Sequence, residues 1–276
     1  MEKELTLAQS VEKGLMKSFR ERLWTPFMNA ITKYDLIQSG DRIAACISGG
    51  KDSMLMAKLL QILQRFSKIP FTVEYLVMDP GYSKANRAAI ERNAALLEIP
   101  VRIFETQIFQ IADSTSDHPC YLCARMRRGA LYSQAQTLGC NKIALGHHLN
   151  DVIETTLIGM MYASQLQTML PKLHSTNFEN MELIRPLYCI KEEDIIAWKN
   201  HFGLDFLQCA CKMTEERPDG DLEESKRKYV KQWIEELKKD NPAIEMSLFN
   251  SIHAVAINTF PGYKKSGQTH SFLEEY

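Results

Sequence analysis

Six consecutive residues, Ser48-Gly49-Gly50-Lys51-Asp52-Ser53, combine the parts of an anion site. Tandem glycines admit positive φ and let main-chain N–H groups approach a charged oxygen. Lys51 adds a cation, and Ser48 and Ser53 add hydroxyls. The run follows a short apolar stretch, Ile43-Ala44-Ala45-Cys46-Ile47, and precedes apolar residues at helical spacing, Leu55, Leu59, Leu60 and Leu63. The positive end of a helix therefore faces the same point. The common nucleotide loop, G-x-x-x-x-G-K-S/T, is not met: Asp52 stands in place of the Ser or Thr, and Ala45 in place of the first glycine. Taken alone, the hexapeptide is also compatible with a tight strand-to-helix turn in which Asp52 is a first-turn acid.

The layout recurs in "ALGHHLNDVIETTL", Ala144 to Leu157. An apolar stretch ends at Gly146, two histidines follow, and Asp151 opens a helix. Ligands of open parallel sheets bind at the carboxyl ends of strands, so Gly146 and residues 48–53 would line one crevice. His147 and His148 read either as metal ligands or as a helix-entry pair. Adjacent residues rarely chelate one ion, which favours the second role for at least one of them. "LVMDPGY" ends another strand beside the glycine loop, where main-chain groups of Met78 and Asp79 could hold an adenine.

The cysteines carry a second chemistry. Cys46, Cys140 and Cys189 sit in apolar surroundings and read as core residues. Cys120-x-x-Cys123 reads as a redox pair, half of a zinc site, or part of an iron–sulfur site. Further ligands would be His118, or Cys209 and Cys211 far along the chain. Three thiolates with an open fourth position suit a 4Fe–4S cluster, but spacing alone does not separate this from zinc. Arg125, Arg127 and Arg128 follow Cys123 on one helix. They form either a solvated basic face or contacts to RNA phosphates or an anionic reaction site.

These residues need a scaffold. Strands are expected over Arg42–Ser48, Phe71–Met78, Val101–Glu105 and Lys142–Leu145. Helices are expected over Asp52–Phe66, Lys84–Leu97, Cys120–Leu138 and Asn150–Tyr162. The alternation implies an α/β fold, an open parallel sheet with helices on both faces. One leading helix spans Leu5 to Leu36, broken at Pro26. Helices are also expected over Glu192–Phe202, Leu222–Leu237 and Ala243–Ile257, and a polar, mobile tail from Lys264. Lys226, Arg227, Lys228 and Lys231 form a basic patch flanked by glutamates, the pattern of a solvated helix. Three regions follow: an N-terminal helical segment (1–40), an α/β domain (41–186) and a helical extension (187–276).

Composition sets bounds. With 276 residues, 45% hydrophobic and 24% charged, the chain has an ordinary globular make-up. A formal net charge of −1 excludes a global pull toward nucleic acid, so a basic face would have to be local. Met1 to Gln9 is charged, with no apolar signal core, and no run approaches the roughly 18 apolar residues of a membrane span. A cytoplasmic protein is expected, in which the seven cysteines are thiols or metal ligands.

"SGGKDS" resembles the signature of the PP-loop ATP pyrophosphatases. With "CYLCARMRRGALY", "ALGHHLND" and "IRPLYCIKEEDI" in this order, the chain from Ile43 to Ile257 is similar to the tRNA 2-thiocytidine synthetase (TtcA-like) family. The resemblance implies a Rossmann-like fold and an adenylating tRNA sulfurtransferase. ATP is cleaved between its α- and β-phosphates, with Ser48, Gly49, Gly50, Lys51, Asp52 and Ser53 at the phosphates. Gly146 contacts the nucleotide, and Asp52 and Asp151 serve magnesium or the leaving group. Where the pattern has a second acid before Asp151, this chain has Asn150. Cys120, Cys123 and one later cysteine hold a 4Fe–4S cluster. The later cysteine normally begins a second CxxC; here "FLQCACKM" is a CxC, so Cys209 is expected as the ligand, with Cys211 the alternative.

The implied reaction adenylates a tRNA base, cytidine 32 by analogy, and replaces its oxygen with sulfur. Lys51, Asp52, Asp151 and Arg127 are then its catalytic residues. The partners are tRNA and a sulfur donor, a cysteine desulfurase or free sulfide, and a homodimer is compatible with this reading. Two competing classes remain. One is a PP-loop ligase or amidotransferase acting on a small molecule, with structural zinc. The other is a nucleotide- and metal-binding sensor without turnover.

Overall fold

The computed structural model describes residues 5–113, 119–207 and 222–274. Arg42–Ile47 forms β1, buried from its second residue onward. It is apolar on both faces because both are covered: Ile43, Ala45 and Ile47 enter one core, Ala44 and Cys46 another. β2 (Thr72–Asp79) pairs with it in parallel, and β3 (Val101–Glu105) pairs in parallel with the outer side of β2. β4 (Lys142–Ala144) lies parallel on the other side of β1. β5 (Lys172–His174) and β6 (Glu182–Ile184) complete a six-stranded sheet in the order β3-β2-β1-β4-β6-β5. The expected parallel sheet is present, with one departure: β5 runs antiparallel to β6 at the edge. Strands of three residues leave no periodic trace in a sequence.

The helices α3 (Lys51–Phe66), α4 (Lys84–Leu96), α6 (Pro119–Thr137) and α7 (Leu149–Tyr162) fall close to their expected ranges. A short α5 (Ile108–Asp113) was not anticipated. After β6 come α8 (Glu192–His201), α9 (Leu222–Asp240) and α10 (Ile244–His253). Val11, Phe27, Leu55, Trp198 and Phe249 share one core on one face of the sheet, while Tyr132 and Ala135 of α6 pack on the other. None of the helices among the described residues is long and apolar enough to cross a membrane.

Two expectations need correction. The leading helix is three pieces: α1 (Leu7–Met16), a π-helical turn (Arg20–Trp24) and α2 (Thr25–Lys33). The break falls at Lys17, not Pro26, which sits in the first turn of α2 where its missing N–H costs nothing. The tail is no loose strand of chain either. Gly262–Lys265 (β7) and Gln268–Ser271 (β8) pair as an antiparallel hairpin.

At the amino ends of the strands a buried lysine ties the sheet together. Lys142, 1% exposed, lies 2.7 Å from Asp41 Oδ2 and 3.1 Å from Glu182 Oε2, and donates to Leu36 O at 3.0 Å. Removing one partner of a buried pair leaves an uncompensated charge. Lys142→Ala should therefore cost about 3–5 kcal/mol, read from urea denaturation. A loss below about 1 kcal/mol would show that water reaches Asp41.

Candidate active site

The chain leaves β1 for β2 on one side and returns to β4 on the other, so the carboxyl ends of β1 and β4 meet at a topological switch point. There the backbone turns at Gly49, φ +89°, a conformation that strains any side chain. An added Cβ would also lie 2.6 Å from Ile90 Cγ1. Leu207 N–H donates to Gly49 O at 3.3 Å. Ser53 Oγ accepts the Ser48 N–H at 3.1 Å and donates to Gly50 O at 3.0 Å, so a motif hydroxyl shapes the loop. Gly50 caps α3, whose first residues are Lys51 and Asp52.

Gly146 brings the second loop against the first. A Cβ on it would sit 3.0 Å from Ser53 N and 3.1 Å from the Asp52 carbonyl carbon. His148 caps α7, and its N–H donates to Asp151 Oδ2 at 2.9 Å. Its ring, 5% exposed, lies between two carboxylates, Nε2 at 3.9 Å from Asp52 Oδ1 and Nδ1 at 3.5 Å from Asp151 Oδ2. Asp52 Oδ1 and the Nδ1 atoms of His147 and His148 are buried without hydrogen-bond partners among the described residues. Buried polar atoms are normally satisfied, so these three, together at one crevice, keep hydrogen-bonding capacity there. Burial pushes His147 down to about 4, which keeps the ring neutral near neutral pH.

The charges form a chain. Lys51 Nζ lies 3.2 Å from Asp52 and 3.0 Å from Glu192 at the start of α8. The other Glu192 oxygen accepts from Lys231 of α9 at 2.5 Å. Burial raises the Glu192 carboxyl, but Lys231 and Lys51 outweigh it and hold it at about 2. Burial likewise lowers the Lys51 amine, yet Asp52 and Glu192 keep it above its ordinary value. The Asp52 carboxyl is pushed up by burial against the pull of His148 and Lys51. One turn before Lys231, Arg227 Nη1 reaches Asp151 Oδ1 at 3.0 Å and Glu154 Oε2 at 3.1 Å.

The reading of α9 as a merely solvated helix is thus corrected. Arg227 and Lys231 belong to the site, and Glu154 and Glu192 with them. Asn150, in the place of a second acid, is spent on structure. Its Nδ2 donates to Glu245 Oε1 at 2.7 Å and its Oδ1 accepts the Glu192 N–H at 3.0 Å.

The remaining expected residues divide. β2 overruns its last β1 partner, Val77, so Met78 and Asp79 extend past the β1 ladder beside the glycine loop. The Asp79 carboxylate accepts the N–H groups of Gly81 and Tyr82 at 2.9 and 2.7 Å, shaping that turn. Met78 packs with Ile108 and the buried Cys123. Position 120 lies one turn earlier on α6; the Cys120 side chain, Cys209 and Cys211 fall outside the described residues. Among the described residues, no three His, Cys, Asp or Glu side chains are grouped to hold a metal. Arg127 is half-buried on α6 and forms no ion pair with any described residue.

Glu154 offers a direct check. It is 4% exposed, and burial pushes its carboxyl up from 4.5 to about 7, with Arg227 pulling against. The folded chain holds the extra proton between those values, so stability present below them is lost as pH rises through that window. Glu154→Gln should gain melting temperature relative to the parent between about pH 5 and about pH 8. A difference that does not change with pH would contradict a buried, titrating carboxyl.

The PP-loop domain family matches residues 19–213. The chain is 33% identical over 229 residues to a tRNA-cytidine(32) 2-sulfurtransferase of Citrifermentans bemidjiense, covering 82% of this chain and 87% of that one. It is 34% identical over 240 residues to the protein of that name from Vibrio parahaemolyticus, covering 86% and 78%. Among solved structures, the U34-tRNA thiolase NcsA from Methanococcus maripaludis, with its 4Fe-4S cluster, superposes with a TM-score of 0.65 at 20% identity. The match covers 87% of this chain and 80% of that one. At that identity the likeness speaks for the fold. The sequence relatives speak for more: the chain belongs to the PP-loop family and, within it, to the family of the tRNA-cytidine(32) 2-sulfurtransferases.

Proposed function

We infer that this chain is an ATP-dependent tRNA sulfurtransferase that adenylates a tRNA cytidine, numbered 32 in the names of its relatives, and exchanges the base oxygen for sulfur. The observation that carries the reading is the seat of Cys123. Cys123 shares a small buried cluster with Met78, at the strand end just past the last β1 pair, and this supports a thiolate site near a phosphate site.

The phosphates of ATP fit the start of α3. Gly49 and Gly50 put no side chain over the loop, Gly50 N–H is oriented by a long 3.4 Å bond to Ser48 Oγ, and the helix end favours negative charge. Lys51 would turn from Glu192 to the phosphates. Lys51, Arg227 and Lys231 are all held by carboxylates, so the nucleotide's charge calls for a divalent ion. Magnesium, with Asp52 and Asp151 as its protein ligands, would match their hard oxygens, Lys51 giving up its 3.2 Å pairing with Asp52 Oδ1 as it turns to the phosphates. Met78 and Asp79 would border the adenine.

In the first step the base oxygen forms a bond to the α-phosphorus and the bond to pyrophosphate breaks. The leaving pyrophosphate takes its charge into the α3 N-terminus and Lys51. A carbonyl oxygen, a poor leaving group, has now become part of AMP. Sulfide-level sulfur then bonds to the base carbon that carried this oxygen, the carbon–oxygen bond breaks, and AMP departs with the oxygen. Cys120, Cys123 and Cys209 would hold a 4Fe–4S cluster, which would supply the sulfur chemistry, and the buried, apolar setting of Cys123 suits such a donor set. Arg127, half-buried on the same helix, would meet RNA or the adenylate. The sulfur would come from free sulfide, or from the persulfide of a cysteine desulfurase with a thiol reductant supplying two electrons, in the cytoplasm, to a monomer or homodimer.

Protein purified without oxygen should contain iron and acid-labile sulfide, and should release pyrophosphate from magnesium and ATP only when tRNA is present. Zinc in place of iron, or release that ignores RNA, would return the chain to the small-molecule ligases. No release at all would leave a nucleotide sensor.

A further inference from the structure

Both oxygens of Asp151 are engaged. Oδ2 accepts the His148 N–H at 2.9 Å and Oδ1 accepts from Arg227 Nη1 at 3.0 Å. The same Nη1 lies 3.1 Å from Glu154 Oε2. Glu154 is 4% exposed, so it is a fixed point, not a mobile surface acid. Among the described residues, Arg227 is its one hydrogen-bond partner. Glu154 sits three residues after Asp151 on α7, so the two carboxylates face the same way and one guanidinium spans them. The helix that brings Arg227 is anchored beside it, because Lys231 one turn later grips Glu192, which in turn holds Lys51. A carboxylate that is to meet a metal must have its remaining lone pairs aimed, and the groups that aim it typically govern metal affinity 10–100-fold.

We propose that Arg227 is a positioning residue of this enzyme: braced by the buried Glu154, it aims the Asp151 carboxylate at the cation of the bound nucleotide and so makes α9 a working part of the adenylation site. The proposal rests on the adenylation reading above. It assigns the second acid of the site to Glu154, acting through the arginine, since Asn150 is committed to Glu245 and to the α8 backbone. It also assigns Arg227 away from RNA, although 44% of its side chain is exposed.

The test uses the full-length, cluster-loaded protein and takes two readouts against magnesium concentration: calorimetric binding of a non-hydrolysable ATP analogue, which needs no turnover, and tRNA-dependent pyrophosphate release at saturating ATP. Arg227→Ala should raise the half-saturating magnesium concentration about tenfold or more, with the KM for tRNA unchanged. Arg227→Lys keeps the charge without the fork and should recover part of the loss. Glu154→Gln should shift the requirement in the same direction by less. An unchanged magnesium requirement in Arg227→Ala overturns the proposal. So does a raised KM for tRNA at unchanged magnesium dependence, which would make Arg227 an RNA contact. If Arg227→Ala does not fold, the lysine and glutamine variants decide by the same measurement. A parent enzyme that releases no pyrophosphate with tRNA refutes the adenylation reading itself, and Arg227's role with it; a working parent with indifferent variants refutes only the latter.

Discussion

The parallel pairing of β1 with β4 brings two helix starts to one place, and the missing side chain at Gly146 lets them meet. A Cβ there would lie 3.0 Å from a main-chain nitrogen, so even alanine would press the two backbones apart. That contact fixes the spacing between Asp52 at the start of α3 and Asp151 at the start of α7, with the His148 ring between them. Two positive helix ends facing one crevice form a strong anion site. The acids in their first turns temper it, which is why the proposed reading pairs the anion with a metal.

The same constraint explains the charged belt around the crevice. Carboxylates gathered at one point must be compensated, and the chain draws the cations from a helix distant in sequence. Arg227 and Lys231 are 76 and 39 residues from Asp151 and Glu192. The C-terminal helices are therefore bound to the phosphate end of the sheet as well as to its hydrophobic face. Val230 and Ile234 supply the apolar half of that attachment, being buried between the ion-pairing positions of α9. A helix built this way cannot shift without disturbing both charge and packing.

This division sets what was legible in the sequence. Ile43 to Ile47 is apolar without interruption because two cores share it, and that run, with the glycines after it, marks the strand and loop unmistakably. Gly146 and Asp151 repeat the pattern and were equally visible. Glu154 and Glu192 were not, because a glutamate on a helix looks the same whether it meets water or an arginine. Arg227 sits in a run of mixed charge whose local pattern is that of any solvated surface. β5 and β6 are too short to alternate. The break at Lys17 has no proline or glycine to announce it, whereas Pro26, which looked like a break, starts a helix.

The sheet's two margins bear on how this chain can meet others. On one side the last strand is β5, three residues long, with Lys172 drawn to Glu182 at 3.5 Å. On the other it is β3, where Glu105 is largely exposed and paired with Arg87. Short, charged margins discourage the edge-to-edge hydrogen bonding by which sheets fuse into larger sheets or fibres. The folded sheet is thereby guarded against growth at its own margins, so that among the described strands only the outer edges of the β7–β8 hairpin stay open to pairing with another chain.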